Sequence, residues 1–200
     1  MPTGSPPLDL SFYDYHRTVI AFHGTTTETA DRLVRGDEFR ASDNDDDWFG
    51  TGVYFWEHAP KQAWWWTRDF KKNKEPAVVG AMIRLGNCFD LLDPGNVLVL
   101  RDCKDKMEKA WPAGADLPIN GNQHKKFDCA VFNYLYQEAE DSGSPIDSAR
   151  AVYVPTQARN RVWSRSWIYE QTHIQICVRK QANILAVWHV REDGSYGKDP

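Results

Sequence analysis

The apolar residues of this chain arrive in short runs, and that spacing narrows the fold more than any other feature. TVIAFH (Thr18–His23), Val53–Trp56, Ala77–Leu85, Ala151–Val154, His173–Arg179 and Ile184–Val190 are each four to nine residues long. Runs of this length, bounded by polar and Gly-rich stretches, read as buried or half-buried strands. None approaches the roughly 18 apolar residues of a membrane span. Helical stretches lie between them. TTTETADRLVRG has a Thr to cap its start, Ala30, Leu33 and Val34 on one face, and Gly36 at its end. Ala59–Lys71 carries Pro60 in its first turn. Gln123–Glu140 repeats Phe127, Val131, Tyr134 and Leu135 at helical spacing. Val97 to Trp111 fits neither period, and RKQAN between the last two runs reads as a bend or hairpin connection. Strands and helices alternate too irregularly for a doubly wound parallel sheet, so the expected class is α+β.

At 200 residues the chain reads as one domain, residues 18–192, with an N-terminal arm (1–17) and a C-terminal tail (193–200). Met1–Leu10 lacks the basic stretch and apolar core of a signal peptide. Cys88, Cys103, Cys129 and Cys177 are dispersed, with no Cys-x-x-Cys pair, and read as free thiols in a reducing compartment. A cytoplasmic protein without membrane attachment is expected. The net charge of -4 excludes a molecule that grips polyanions over its whole surface. Charge is nevertheless uneven. Between Ser148 and Gln181, Arg150, Arg159, Arg161, Arg165, Arg179 and Lys180 face Glu170 alone. That segment is either a solvated basic face or a surface for phosphates. The Asp-rich stretch SDNDDDWFGTG (Ser42–Gly52) reads as a solvated loop in preference to a cation site on Asp43 and Asp45–Asp47.

Three segments carry chemistry-bearing residues: FHGTT (Phe22–Thr26), FGTGVYFWE (Phe49–Glu57) followed by APKQAWWW, and HIQICVR (His173–Arg179). GTGVYF is no dinucleotide fingerprint, because Phe55 stands where the third Gly would be and a strand follows in place of a helix. Gly50 and Gly52 suit either an ordinary turn or a backbone that approaches a ligand closely. His23 is either a satisfied core histidine or a site residue. Tyr54 and Phe55 must face opposite sides of their strand. Trp64, Trp65 and Trp66 are spaced about 100° apart on a helix and cannot share one face.

In order and spacing these segments resemble the catalytic domain of ADP-ribosyltransferases of the poly(ADP-ribose) polymerase type. The resemblance spans Thr18 to Val190 and implies an ADP-ribosyltransferase-like split antiparallel β-sheet core with flanking helices. It implies NAD as substrate and no metal. It implies that His23 bonds a ribose hydroxyl and that Gly24 holds the carboxamide, whose donor and acceptor match one residue's N–H and C=O. Tyr54 and Trp65 would flank the nicotinamide, and Thr25, Gly52 and Ala63 would complete the NAD site. Gln175 falls where the family carries its catalytic Glu. Breaking the nicotinamide–ribose bond builds positive charge on the sugar. Gln accepts from a hydroxyl but brings no charge, a loss of about 2.7–4 kcal/mol. The acceptor then supplies its own base or anion, or Glu170 replaces the missing Glu, or the domain binds without chemistry. Arg161, Arg165 and Trp167 in the preceding loop, with His173 two residues before Gln175, would position the acceptor. Interleaved Arg and aromatic residues suit nucleic acid slightly better than protein. The expected function is mono-ADP-ribosyl transfer to a macromolecule, a glycosyltransferase reaction. The alternatives are a catalytically silent NAD- or ADP-ribose-binding module and an RNA 2'-phosphotransferase.

Overall fold

In the computed structural model, residues 16–44, 47–121, 124–155 and 158–193 are described. Most of the expected arm and tail, the start of the helix expected from Gln123, and Asp45 and Asp46 of the acidic loop lie outside the described residues. The sheet is built around β1 (Thr18–Thr26), which pairs antiparallel along its whole length with β3 (Pro76–Arg84). Its other edge meets β2 (Val53–Glu57) over two residue pairs, Ala21–Glu57 and Phe22–Trp56. β2 then runs against β6 (His173–Val178), β6 against β5 (Ser148–Tyr153), and the short β4 (Cys88–Asp90) lies parallel to β5. With β7 (Ile184–Val190) outside β3, the order is β4-β5-β6-β2-β1-β3-β7. Every pair except β4–β5 is antiparallel, and the class is α+β as expected.

Among the described residues four α-helices cover the sheet: α1 (Thr27–Val34), α2 (Pro60–Trp65), α3 (Pro94–Ala110) and α4 (Lys126–Asp141). Thr26 caps α1 by accepting from the Thr29 N–H. α2 ends early, in a π-helical turn over Trp66–Phe70. α3 corrects the sequence reading. Asp93 caps it and Pro94 opens it. Its Val97, Leu98 and Val99 are 42%, 57% and 50% exposed, so no apolar stripe announces the helix. RKQAN is no hairpin. It contains a 3-10 turn, Gln181–Asn183, and carries the chain from β6 past three strands to the sheet edge.

Because side chains alternate along strands, each face has its own core. On one face Ala30 and Leu33 of α1 pack with Phe39 on Ala21, Phe55, Val79, Ile83, Ile176 and Val178. The other face is divided. Phe132, Leu135 and Tyr136 of α4 and Cys103 of α3 cover β4–β6, while Ala63 of α2 packs with Phe22, Trp56, Val78 and Val190.

An ion network ties β2 to the far edge. The Arg150 guanidinium donates to Glu57 at 2.6 and 3.0 Å and to Asp90 at 3.0 Å, and Arg17 donates to Asp90 at 2.8 Å. The Arg150, Glu57 and Asp90 side chains are only 11%, 9% and 14% exposed. Removing one partner of such a pair strands a buried charge. Arg150→Ala is expected to cost about 3–5 kcal/mol in urea denaturation, most of it recovered when Arg150→Met is combined with Glu57→Leu. An Arg150→Ala midpoint equal to that of the unaltered protein would contradict this account.

Candidate functional site

The three motif segments lie on adjacent strands, β1, β2 and β6. Beyond the Phe22–Trp56 pair, β1 and β2 part. The His23 imidazole spans the parting, its Nδ1 2.8 Å from the Tyr54 carbonyl oxygen. A carbonyl only accepts, so Nδ1 carries the proton and Nε2 keeps a lone pair. The ring packs on Phe39 and Phe55 at 5.4 and 5.6 Å, and burial pulls its pKa below the usual imidazole value.

Gly24 follows on the same edge. The Ile20 carbonyl accepts from the His58 N–H on the β2 side. Backbone groups of alternate residues share an edge, so the N–H and C=O of Gly24 face the parting. A Cβ at Gly24 would lie 2.5 Å from the Ala63 carbonyl oxygen, so only glycine lets α2 pack this closely. Ala63 is thus the helix contact of Gly24. The Thr25 carbonyl is taken by the Thr67 hydroxyl at 2.5 Å.

Other expected members are not brought together. Tyr54 points to the face opposite His23. Its hydroxyl donates to the Gly50 carbonyl at 2.7 Å and accepts from the Phe49 N–H at 3.1 Å. Burial holds its phenol far above the ordinary range. Tyr54 therefore braces the turn before β2. Gly52 serves packing, since a Cβ there would lie 2.3 Å from the Cys177 sulfur. Trp65 sits about 200° round the helix from Ala63, and its ring lies 5.7 Å from Phe70. The ring of Trp66, not that of Trp65, turns to Trp56, at 5.6 Å.

Gln175 lies opposite Trp56 on β2 and Ala151 on β5. The Trp48 indole N–H donates to its side-chain oxygen. Indole is a donor only, which settles the amide orientation and leaves the Gln175 NH₂ as the free group. Aromatic rings band this residue. Trp48 meets Tyr153 at 6.3 Å, Tyr153 stacks on His173 at 5.0 Å, and His173 meets Trp56 at 6.4 Å. His173 Nδ1 lies 2.5 Å from the Gln171 carbonyl oxygen, so it too carries the proton. Its Nε2 is buried without a partner, and burial lowers its pKa. Sequence reasoning passed over Trp48, Trp56, Trp66 and Tyr153. Trp56 was within reach, since it shares a face with Tyr54 two residues earlier.

Glu170 is exposed, and its carboxylate has no partner among the described residues. Its N–H closes the loop on the Asn160 carbonyl at 2.7 Å. Within that loop Arg161 bridges Tyr169 and stacks on its ring at 5.3 Å. Trp163 and Trp167 stand 59% and 94% exposed, and Arg165 takes a left-handed φ of 63° at the tip. The basic segment shrinks on folding. Arg150 is held by Glu57 and Asp90, Arg179 lies over the Tyr136 ring and bonds Glu140, and Lys180 lies 3.7 Å from Asp147. Arg159, Arg161 and Arg165 are left in the loop.

A cavity of about 770 Å³ at the β4–β5 edge, lined by Arg17, Cys88, Asp90 and Asp147, contains no residue of the three segments. No cluster of three His, Cys, Asp or Glu that could hold a metal occurs among the described residues. No described helix is long and apolar enough to cross a membrane.

No family model matches the chain, and no solved structure matches it. It is 26% identical over 186 residues to the uncharacterized protein MJ0359 of Methanocaldococcus jannaschii, covering 82% of this chain and 83% of that one.

Two outcomes follow from this geometry. Gly24→Ala should destabilise by about 1–3 kcal/mol, because α2 must shift from β1; a wild-type urea midpoint would contradict the close approach. His23 and His173 are both held below the ordinary imidazole pKa, so the unfolded chain protonates first as pH falls. Their contribution is intact above about pH 6.5 and is lost as pH drops toward the lowered folded values. His23→Asn, which keeps a donor for the Tyr54 carbonyl, should flatten that slope of urea midpoint against pH. An unchanged slope would remove His23 from the account.

Proposed function

We propose that this chain is a mono-ADP-ribosyltransferase with an ADP-ribosyltransferase-like split sheet, taking NAD as substrate and a nucleic acid as acceptor. The observation that carries the reading is adjacency. FHGTT, GVYF and HIQICVR are distant in sequence, yet they occupy neighbouring strands around the β1–β2 parting. In this reading the Gly24 N–H and C=O hold the carboxamide and His23 Nε2 accepts from a ribose hydroxyl. The aromatic surface expected of Tyr54 and Trp65 then falls to Trp66, on the sheet face opposite His23, because Trp56 beneath it is only 3% exposed. Gln175 brings no charge to the sugar cation, and Trp48 already holds its oxygen. Turnover therefore depends on what the acceptor contributes, and NAD hydrolysis alone is slow. The exposed Trp163 and Trp167 beside Arg159, Arg161 and Arg165 favour stacked bases and phosphates. The same Trp48–Gln175 bond favours, as second reading, a module that binds NAD or ADP-ribose without cleaving it.

Adenylate-labelled NAD, offered with RNA, DNA and protein separately, tests both. Nicotinamide release with label on nucleic acid is the expected result. Gln175→Glu should raise NAD hydrolysis by about 10²–10³-fold with little change in KM, since a charge at this position acts on the transition state. Binding of NAD without release in any mixture would establish the silent module. Neither binding nor release would overturn the reading.

A further inference from the structure

Trp48 has a second environment besides Gln175. It forms one wall of a groove of about 350 Å³ between α3 and α4, lined also by Leu91, Val97, Leu100, Phe127 and Phe132. The lining is almost wholly apolar, and the volume lies within the range of small-molecule sites. Three charged residues reach the rim: Arg101, Lys104 and Asp128. Two are engaged. Lys104 bonds Asp105 at 3.0 Å and Glu108 at 2.8 Å, and Asp128 accepts from the Asn120 amide at 2.8 Å. Arg101 has no partner among the described residues. An apolar trough with a single uncommitted cation matches a ligand with a short apolar body and one anionic end.

We propose that this groove binds a small amphipathic carboxylate, and that its occupancy is felt at Gln175 through Trp48. The apolar body lies along Leu100 and Phe127, and the carboxylate meets the guanidinium of Arg101. Trp48 stacks on Phe49 at 4.0 Å with its N–H on Gln175, so a ligand pressing on the ring bears on that hydrogen bond. When the bond yields, the Gln175 oxygen is released toward the aromatic strip. The binding claim stands apart from the transferase reading. Only an effect on NAD turnover would rest on it.

Nitrogen-15-labelled protein titrated with octanoate, octanol and octylammonium tests the site directly. Octanoate should bind saturably and about fivefold tighter than octanol, the upper end for an exposed ion pair, and octylammonium weakest. Arg101→Ala should erase the preference and Arg101→Lys keep most of it. Val97→Glu, at a half-exposed helix position that tolerates charge, should abolish binding while the backbone spectrum shows a folded protein. The Trp48 indole N–H signal, assigned by its loss in Trp48→Phe, should shift on saturation. Equal binding of octanoate and octanol, octanoate binding that survives Val97→Glu, or no binding would overturn the site. Saturation that leaves the Trp48 signal unmoved would overturn the link to Gln175. Both outcomes are independent of whether NAD is cleaved.

Discussion

The early end of the β1–β2 ladder is the constraint from which the rest of the site follows. A strand edge carries backbone donors and acceptors that must be paired when buried. β1 pairs fully with β3 but offers β2 only two rungs. Past them the backbone of Gly24 has no strand opposite, and the Tyr54 carbonyl is satisfied by an imidazole in place of an amide. A side chain bridges where a ladder would otherwise continue. The parting is held open from above as well, because α2 sits on Gly24 at a distance no Cβ would allow. Thr67, from the π-helical turn, is fully buried and clamps the Thr25 carbonyl. The parting is thus a feature of the packing, and it leaves the N–H and C=O of Gly24 facing a gap between the strands.

A second constraint comes from a donor that cannot accept. Because indole offers only N–H, the Trp48–Gln175 bond settles which end of the amide is free. The strip beside Trp56 therefore presents the NH₂ of Gln175, while the lone pair of His173 Nε2 stays buried and unpartnered. The Gln175 oxygen has a second lone pair, so a hydroxyl either shares it with Trp48 or replaces the indole, and replacement exchanges one hydrogen bond for another at a net difference of about 0.5–1.5 kcal/mol. That is small enough for a ligand to shift and large enough to hold the resting arrangement.

The strands were legible because apolar runs of this length have few other uses, and β7 runs from Ile184 to Val190 as read. α3 was not, because a helix whose Val97–Val99 stretch faces outward has no amphipathic signature. The site was half legible. Alternation says that Tyr54 and Phe55 face apart, but only the β1–β2 register tells that Phe55, and not Tyr54, shares the face of His23. Trp56 becomes a neighbour of Gln175 only through a β2–β6 pairing between opposite ends of the chain. The charge of the 148–181 segment misled for the same reason. Arg150 finds Glu57 from 93 residues away, which composition along the chain does not reveal.

Under the transferase reading, the electrostatics of the strip bear on the acceptor. Gln175 is surrounded by rings and an imidazole and has no carboxylate among its hydrogen-bond partners, although Asp47 acts electrostatically on the flanking Tyr54 and Cys177. Asp47 is occupied by the Ser42 hydroxyl, and Glu170 faces solvent. Under the transferase reading, a sugar cation forming here is not met by a protein charge. The balance must then come from the incoming group. His173 is neutral, since burial lowers its pKa, and its proton is pinned on Nδ1 by the Gln171 carbonyl. Its Nε2 therefore carries a lone pair and no proton, and burial both shields that atom and makes it a weaker base. Under the same reading, a strip whose free group is the Gln175 amide donor suits a nucleophile that arrives with a carbonyl beside it. Under the transferase reading the uncharged strip and the exposed Arg/Trp loop would divide the work: the loop would supply grip, and the acceptor itself the electron density that Gln175 lacks.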